Sequence, residues 1–139
     1  MSSRRARWLR RALAATALLA ACGPAQGPEP IAWDEEPCAH CRMLISDPAF
    51  AAQLRAGDGS VESFDDPGCL LAQLGERRPR EIWFHHLREG RWIAGDRVAF
   101  EPVPRTPMGY GLGAVDAGAE GAFDLGAARA RVVEREAGR

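Results

Sequence analysis

Six consecutive residues, Cys38-Ala39-His40-Cys41-Arg42-Met43, bring two thiols, an imidazole and a thioether together. Cys69, His85, His86 and Met108 add further donors. Three chemistries use such a set. Zinc takes four thiolate or imidazole ligands, and Cys38-x-x-Cys41 is half of a clasp that Cys69 with His85 or His86 completes. The spacing to that second half is irregular for zinc, and zinc has no use for Met43. Disulfide exchange needs the first thiol at a helix N-terminus that stabilises its thiolate. Pro48, seven residues after Cys41, leaves little room for such a helix, and no βαβ unit precedes the motif. A structural disulfide of Cys38 with Cys41 or Cys69 stays open. Cu(I) is the third case, a soft d10 ion that accepts thiolate and thioether. In an extended segment, Cys41 and Met43 lie on one side of the backbone and grip one ion together. Met43 as core filling is the plain alternative, but filling needs no cysteine two residues away. The donor set favours copper.

The compartment bears on that choice. Residues 1–11 carry five arginines and no acid, and the apolar run ALAATALLAA stops at Cys22. A basic start, a short apolar run and small residues before the break are the anatomy of an export signal. The run is shorter than the roughly 20 residues that span a bilayer. Leu19-Ala20-Ala21-Cys22 resembles the lipobox of bacterial lipoproteins, which implies cleavage before Cys22 and acylation of that residue. Ser3-Arg4-Arg5 hints at twin-arginine export, but Arg7 stands where that signal prefers an apolar residue. Outside the cytoplasm bare thiols oxidise, whereas a thioether does not pair and does not titrate. Cleavage leaves 13 arginines against 19 acids, a net charge of −6. That balance excludes a nucleic-acid binder, which needs a basic face.

The expected organisation is a signal peptide over 1–21, a lipid-anchored Cys22 with a Gly- and Pro-rich linker over 22–33, and one domain over 34–139. FAAQLRAGDGSVESF reads as two strands around Gly57-Asp58-Gly59. In DDPGCLLAQLGE, Asp66 is an N-cap and Pro67 the first helical residue; Leu70, Leu71 and Leu74 form the apolar face, and Gly75 ends it. EIWFHHL is a buried strand. RWIAG, RVAFEPV and GYGLGAV follow as strands, Asp116 caps a helix through AEGAFDLGAA, and ARVVE closes as a strand. The fold class is therefore α+β, two ββαβ-like units packed as one small domain, since either unit alone is too small to bury a good core.

Four stretches then resemble a known family: CAHCRM, FDDPGCLLAQL, the aromatic segment through EGRWIAGDRVAF, and TPMGYGLGAV. In this order, with the lipobox ahead of them, they are similar to the NosL-type copper-binding lipoproteins, accessory proteins of nitrous oxide reductase. The resemblance covers most of residues 38–116. It implies a monomeric Cu(I) chaperone, lipid-anchored and facing the periplasm from the outer or inner membrane. Its implied partner is nitrous oxide reductase or that enzyme's membrane maturation complex. Cys41 and Met43 match the family's Cys-x-Met copper ligands, and Met108 matches the methionine opening Met-Gly-Tyr-Gly. Cys38 matches a partner cysteine, as ligand or disulfide partner. Cys69 is a ligand or a buried structural thiol. Asp65 and Asp66 are better explained by capping than by metal binding. His85 and His86 are solvated or core residues, at most one of them able to ligate from a strand; His40 lies nearer the site. No nucleophile–base pair, phosphate loop or paired carboxylate points to an enzyme. The alternative reading is a zinc- or disulfide-stabilised envelope lipoprotein that only binds another protein.

Overall fold

The computed structural model describes Gly23 and residues 25–139. The expected signal segment and Cys22 lie outside these residues. Among the described residues, seven strands and two helices build an α+β domain with two antiparallel sheets. None of these helices is long and apolar enough to cross a membrane.

The first sheet grows from the hairpin of β1 (Ala52–Arg55) and β2 (Val61–Phe64), paired from Ala52↔Phe64 to Arg55↔Val61. Gly59 closes its turn at φ 93°, a conformation that glycine adopts freely. Asp66, in extended conformation, then starts α1 (Pro67–Leu74) by accepting the Gly68 N–H at 2.8 Å. Pro67 occupies the first turn, where a missing N–H costs nothing, and Gly75 is the C-cap. The chain returns as β3 (Glu81–His85) on the free side of β1, and β4 (Trp92–Ala94) pairs with β3. The strand order is β2-β1-β3-β4.

The second sheet has the order β6-β5-β7, from β5 (Val98–Pro102), β6 (Leu112–Asp116) and β7 (Phe123–Asp124). Its helix, α2 (Leu125–Ala137), comes last. Here the structure departs from the sequence expectation. Residues 117–122 turn, with Gly118 and Gly121 at positive φ, so Asp116 caps no helix. Asp124 is the cap, accepting the Ala127 N–H at 2.8 Å. ARVVE lies inside α2, because strong helix formers surround its two valines and the spacing of Ala128 and Val132 buries both on one face.

The two units share one core. Phe84 of β3 meets Phe100 of β5 edge to face, with centroids 5.0 Å apart. Phe64, Leu54, Leu70 and Leu71 fill the space between sheets and helices, and α1 packs on β1, β2, β6 and α2. Each such side chain contributes about 1.5–3 kcal/mol on burial.

The polar residues of β1 receive the segment expected to be a linker. Arg55, 3% exposed, donates to the Glu29 and Glu81 carboxylates and to the carbonyls of Gly27 and Gly59. Gln53 exchanges two bonds with Glu29, at 2.8 and 3.0 Å. A buried guanidinium with all these partners is a firm tie, since losing them would strand a charge. The folded body thus begins at Gly27, inside the expected linker of 22–33.

Candidate metal centre

Residues 37–44 form a tight loop. Pro37 and Leu44 bridge its ends, the Cys38 N–H donates to the Met43 carbonyl at 2.8 Å, and the Arg42 N–H donates to the Cys38 carbonyl at 3.1 Å. Closing so short a loop forces Arg42 into left-handed backbone, φ 68°. The segment Cys41-Arg42-Met43 is therefore a turn and not an extended stretch, and the expected side-by-side placement of Cys41 and Met43 by strand period does not hold. A bond from the Ala39 N–H to the Ser63 carbonyl, 2.9 Å, pins the loop to β2.

Opposite the loop stands the first turn of α1, and its Cys69 completes the site. The sulfurs of Cys38, Cys41 and Cys69 all lie within 4.8 Å of one another. All three are free thiols. Cys38 and Cys69 are fully buried, while Cys41 is partly exposed at the mouth.

The surroundings of the sulfurs favour one negative charge among them. A bond from the Cys69 thiol, aided by the N–H groups of Asp65, Cys41 and His40, draws Cys38 down to about 4 against its burial. Burial pushes Cys41 up. Cys69 is held far above the usual thiol range by the bond that it donates to Cys38 and then by burial. A thiolate bedded in backbone N–H groups, with two protonated thiols beside it, is prepared to take a soft cation and release protons.

The other expected ligands are distributed unevenly. Met43 is 55% exposed on the same loop, two residues from Cys41. Trp33 and Leu44 are also exposed, and the Asp34 N–H bonds the Ile45 carbonyl beside them at 2.9 Å. Met108 is partly buried against the core. Its N–H donates at 2.9 Å to the second oxygen of Asp66, the residue whose first oxygen caps α1. Asp66 thus ties the Met108 loop to the helix turn that carries Cys69. Gly68 permits this approach, because a Cβ there would stand 2.0 Å from the Tyr110 ring. Neither the double use of Asp66 nor the fit of Gly68 to Tyr110 is visible in the sequence, since both join segments about 42 residues apart.

The histidines stand apart. His40 is half-buried, and it contributes its backbone N–H to the Cys38 sulfur. His85 is half-buried against the edge of the Trp92 ring. His86 is buried with Glu89 and Asp116 around it, its Nε2 lying 3.8 and 4.0 Å from their carboxylates. Its Nδ1 accepts the N–H groups of Arg88 and Glu89 at 3.1 and 3.2 Å. That arrangement leaves the proton on Nε2, facing the acids, and Arg91 already bridges both carboxylates.

Comparison of the chain with protein-family models, curated proteins and solved structures gave no match.

Proposed function

We propose that the three-sulfur cluster carries Cu(I) as cargo, and that the protein is a NosL-type copper chaperone of the cell envelope. The carrying observation is the donor set: three thiols within 4.8 Å, with no imidazole or carboxylate joining them among the described residues. Structural zinc closes on four nitrogen or sulfur ligands, whereas Cu(I) is content with two or three sulfurs. Met43, on the same loop as Cys41, and Met108, whose N–H meets Asp66 at the start of α1, carry thioethers, which suit copper and not zinc. Cys38 and Cys69 hold the ion from below, and Cys41 at the mouth is the sulfur that an incoming ligand meets first. In this reading exposed Met43 guides the ion in or out by ligand exchange, and the buried pair retains it until the acceptor binds.

In this reading Cys22 anchors the chain to a membrane on the extracytoplasmic side, and the acceptor is nitrous oxide reductase or its membrane assembly complex. Ion transfer needs no chemical step on the protein beyond gain and loss of thiol protons, so the protein is not an enzyme. The test is competitive titration of the reduced chain with a Cu(I) chelator and with Zn(II). One Cu(I) bound far more tightly than zinc supports the chaperone. Tight zinc binding that raises the melting temperature would instead favour a zinc-stabilised binding module.

A further inference from the structure

At the end of α1 away from the cysteines lies a cleft of about 730 Å³. Its floor is apolar, from Leu74, Pro79 and Ile82, and Arg77, Arg78, Arg80 and Arg129 line it. Arg77 is paired with Glu62. Arg78 and Arg129 donate to the backbone carbonyls of Glu76, Arg77 and Gly75, which leaves their charge uncompensated. Arg78 and Arg80 are exposed. Of the two lining acids Glu81 is engaged by Arg55, and Asp96 alone stands against Arg78, Arg80 and Arg129, so the cleft is electropositive on a chain whose mature charge is −6.

The chain leads towards Cys22 from this same end. The Gly27 N–H donates to Glu81, a cleft residue, at 3.2 Å, and the Arg80 N–H bonds the Arg55 carbonyl at 2.8 Å. Gly27 follows Cys22 by five Cα steps, a reach of roughly 17 Å at full extension. An acylated Cys22 would therefore hold this end within a short distance of the lipid headgroups. We propose that the cleft is the membrane-facing end of the protein, with Arg78, Arg80 and Arg129 receiving the phosphates of anionic phospholipids. Long arginine stems lie along the apolar floor while the guanidiniums reach the headgroups. Cys69 sits in the first turn of α1 and Leu74 at its end, so about 7.5 Å of helix rise separates the cysteine from this surface. The ion site then points away from the bilayer, open to an acceptor.

The proposal rests on the lipoprotein reading, and the experiment separates the two. The processed chain is reconstituted on vesicles of phosphatidylcholine, alone or with phosphatidylglycerol, after mass spectrometry of Cys22. Hydrogen exchange should show residues 76–82 gaining protection on the anionic vesicles only, with residues 37–44 unchanged. Arg78→Gln with Arg80→Gln should cut that gain about fivefold per arginine while leaving the chain attached; a charge-reversed pair, Arg78→Glu with Arg80→Glu, should abolish it, and thermal melts of both pairs check the fold. An unmodified Cys22 would remove the premise and overturn the proposal with it. An acylated chain with equal protection on both vesicles would overturn the proposal alone. Protection by an Asp-rich peptide on neutral vesicles, with no response to phosphatidylglycerol, would reassign the cleft to an acidic protein.

Discussion

Among the described residues two clusters each bring three potential ligand groups within 4.8 Å of one another, and they are opposites in chemistry. Around His86, the acids Glu89 and Asp116 are neutralised by Arg91, and both imidazole nitrogens are committed, one to backbone N–H groups and one to a proton. Around Cys38, among the described residues, the Cys69 thiol and the N–H groups of Asp65, Cys41 and His40 stabilise a negative charge without cancelling it. Proximity makes both clusters look alike; the cation already present separates them. A ligand set is free for an ion when its charge has hydrogen-bond donors but no counter-ion.

The sharpest way to break that contrast is to remove one sulfur at a time. Cys38→Ser, Cys41→Ser and Cys69→Ser should each weaken Cu(I) binding by more than about 100-fold, because losing a mere outer partner of a ligand costs roughly 10–100-fold. The sequence alone allowed Cys69 to be a structural thiol, whose loss would cost stability and spare copper; Cu(I) competition with thermal melts on Cys69→Ser decides between the two. On the other cluster, His86→Ala should leave Cu(I) affinity unchanged. It strands the Arg88 and Glu89 N–H groups, for about 1–3 kcal/mol of stability in denaturant melts. A loss of copper there would erase the distinction.

Smaller effects sharpen the picture. Met43→Leu keeps size and apolarity, so it should cost under about 1.5 kcal/mol of stability. It should lower Cu(I) affinity by no more than about tenfold and slow transfer to a chelator, in line with a thioether beside the site rather than within it. Asp66→Asn keeps one acceptor oxygen for the Gly68 N–H but none for Met108. Its copper affinity falls only if the Met108 loop contributes to the site. The same residue also gives a pH signature. Burial raises Asp66, so its contribution favours the fold below the ordinary value of 3.8 and is lost as pH rises through the raised one. Arg77 holds Glu62 below its ordinary 4.5, so the Glu62 contribution is present above that value and lost as pH falls through the lowered one. Melting temperatures across the acid range should flatten in opposite directions in Asp66→Asn and Glu62→Gln.

The first unit was legible in the sequence because its signals are local. Gly57-Asp58-Gly59 makes a turn, Asp66-Pro67 starts a helix, and the leucines repeat at helical spacing. The second unit has the same strand order, middle strand first, but its helix follows the third strand instead of preceding it. Two adjacent valines in ARVVE suggested a strand, where the Ala, Arg and Glu around them and the Asp124 cap decided for helix. The site divides in the same way. Cys38 and Cys41 stand out by spacing, but the turn at Arg42 that turns Met43 to solvent depends on loop closure. The entry of Cys69 depends on how α1 packs, and its 28-residue separation from Cys41 carries no spacing rule.

The central claim is an all-sulfur copper site that includes Cys69. X-ray absorption at the copper edge of the Cu(I)-loaded chain tests it most directly. Wild type should show a first shell of sulfur alone, and Cys69→Ser should show one sulfur fewer with the ion still monovalent. Imidazole scattering in wild type, or an unchanged spectrum in Cys69→Ser, would contradict it.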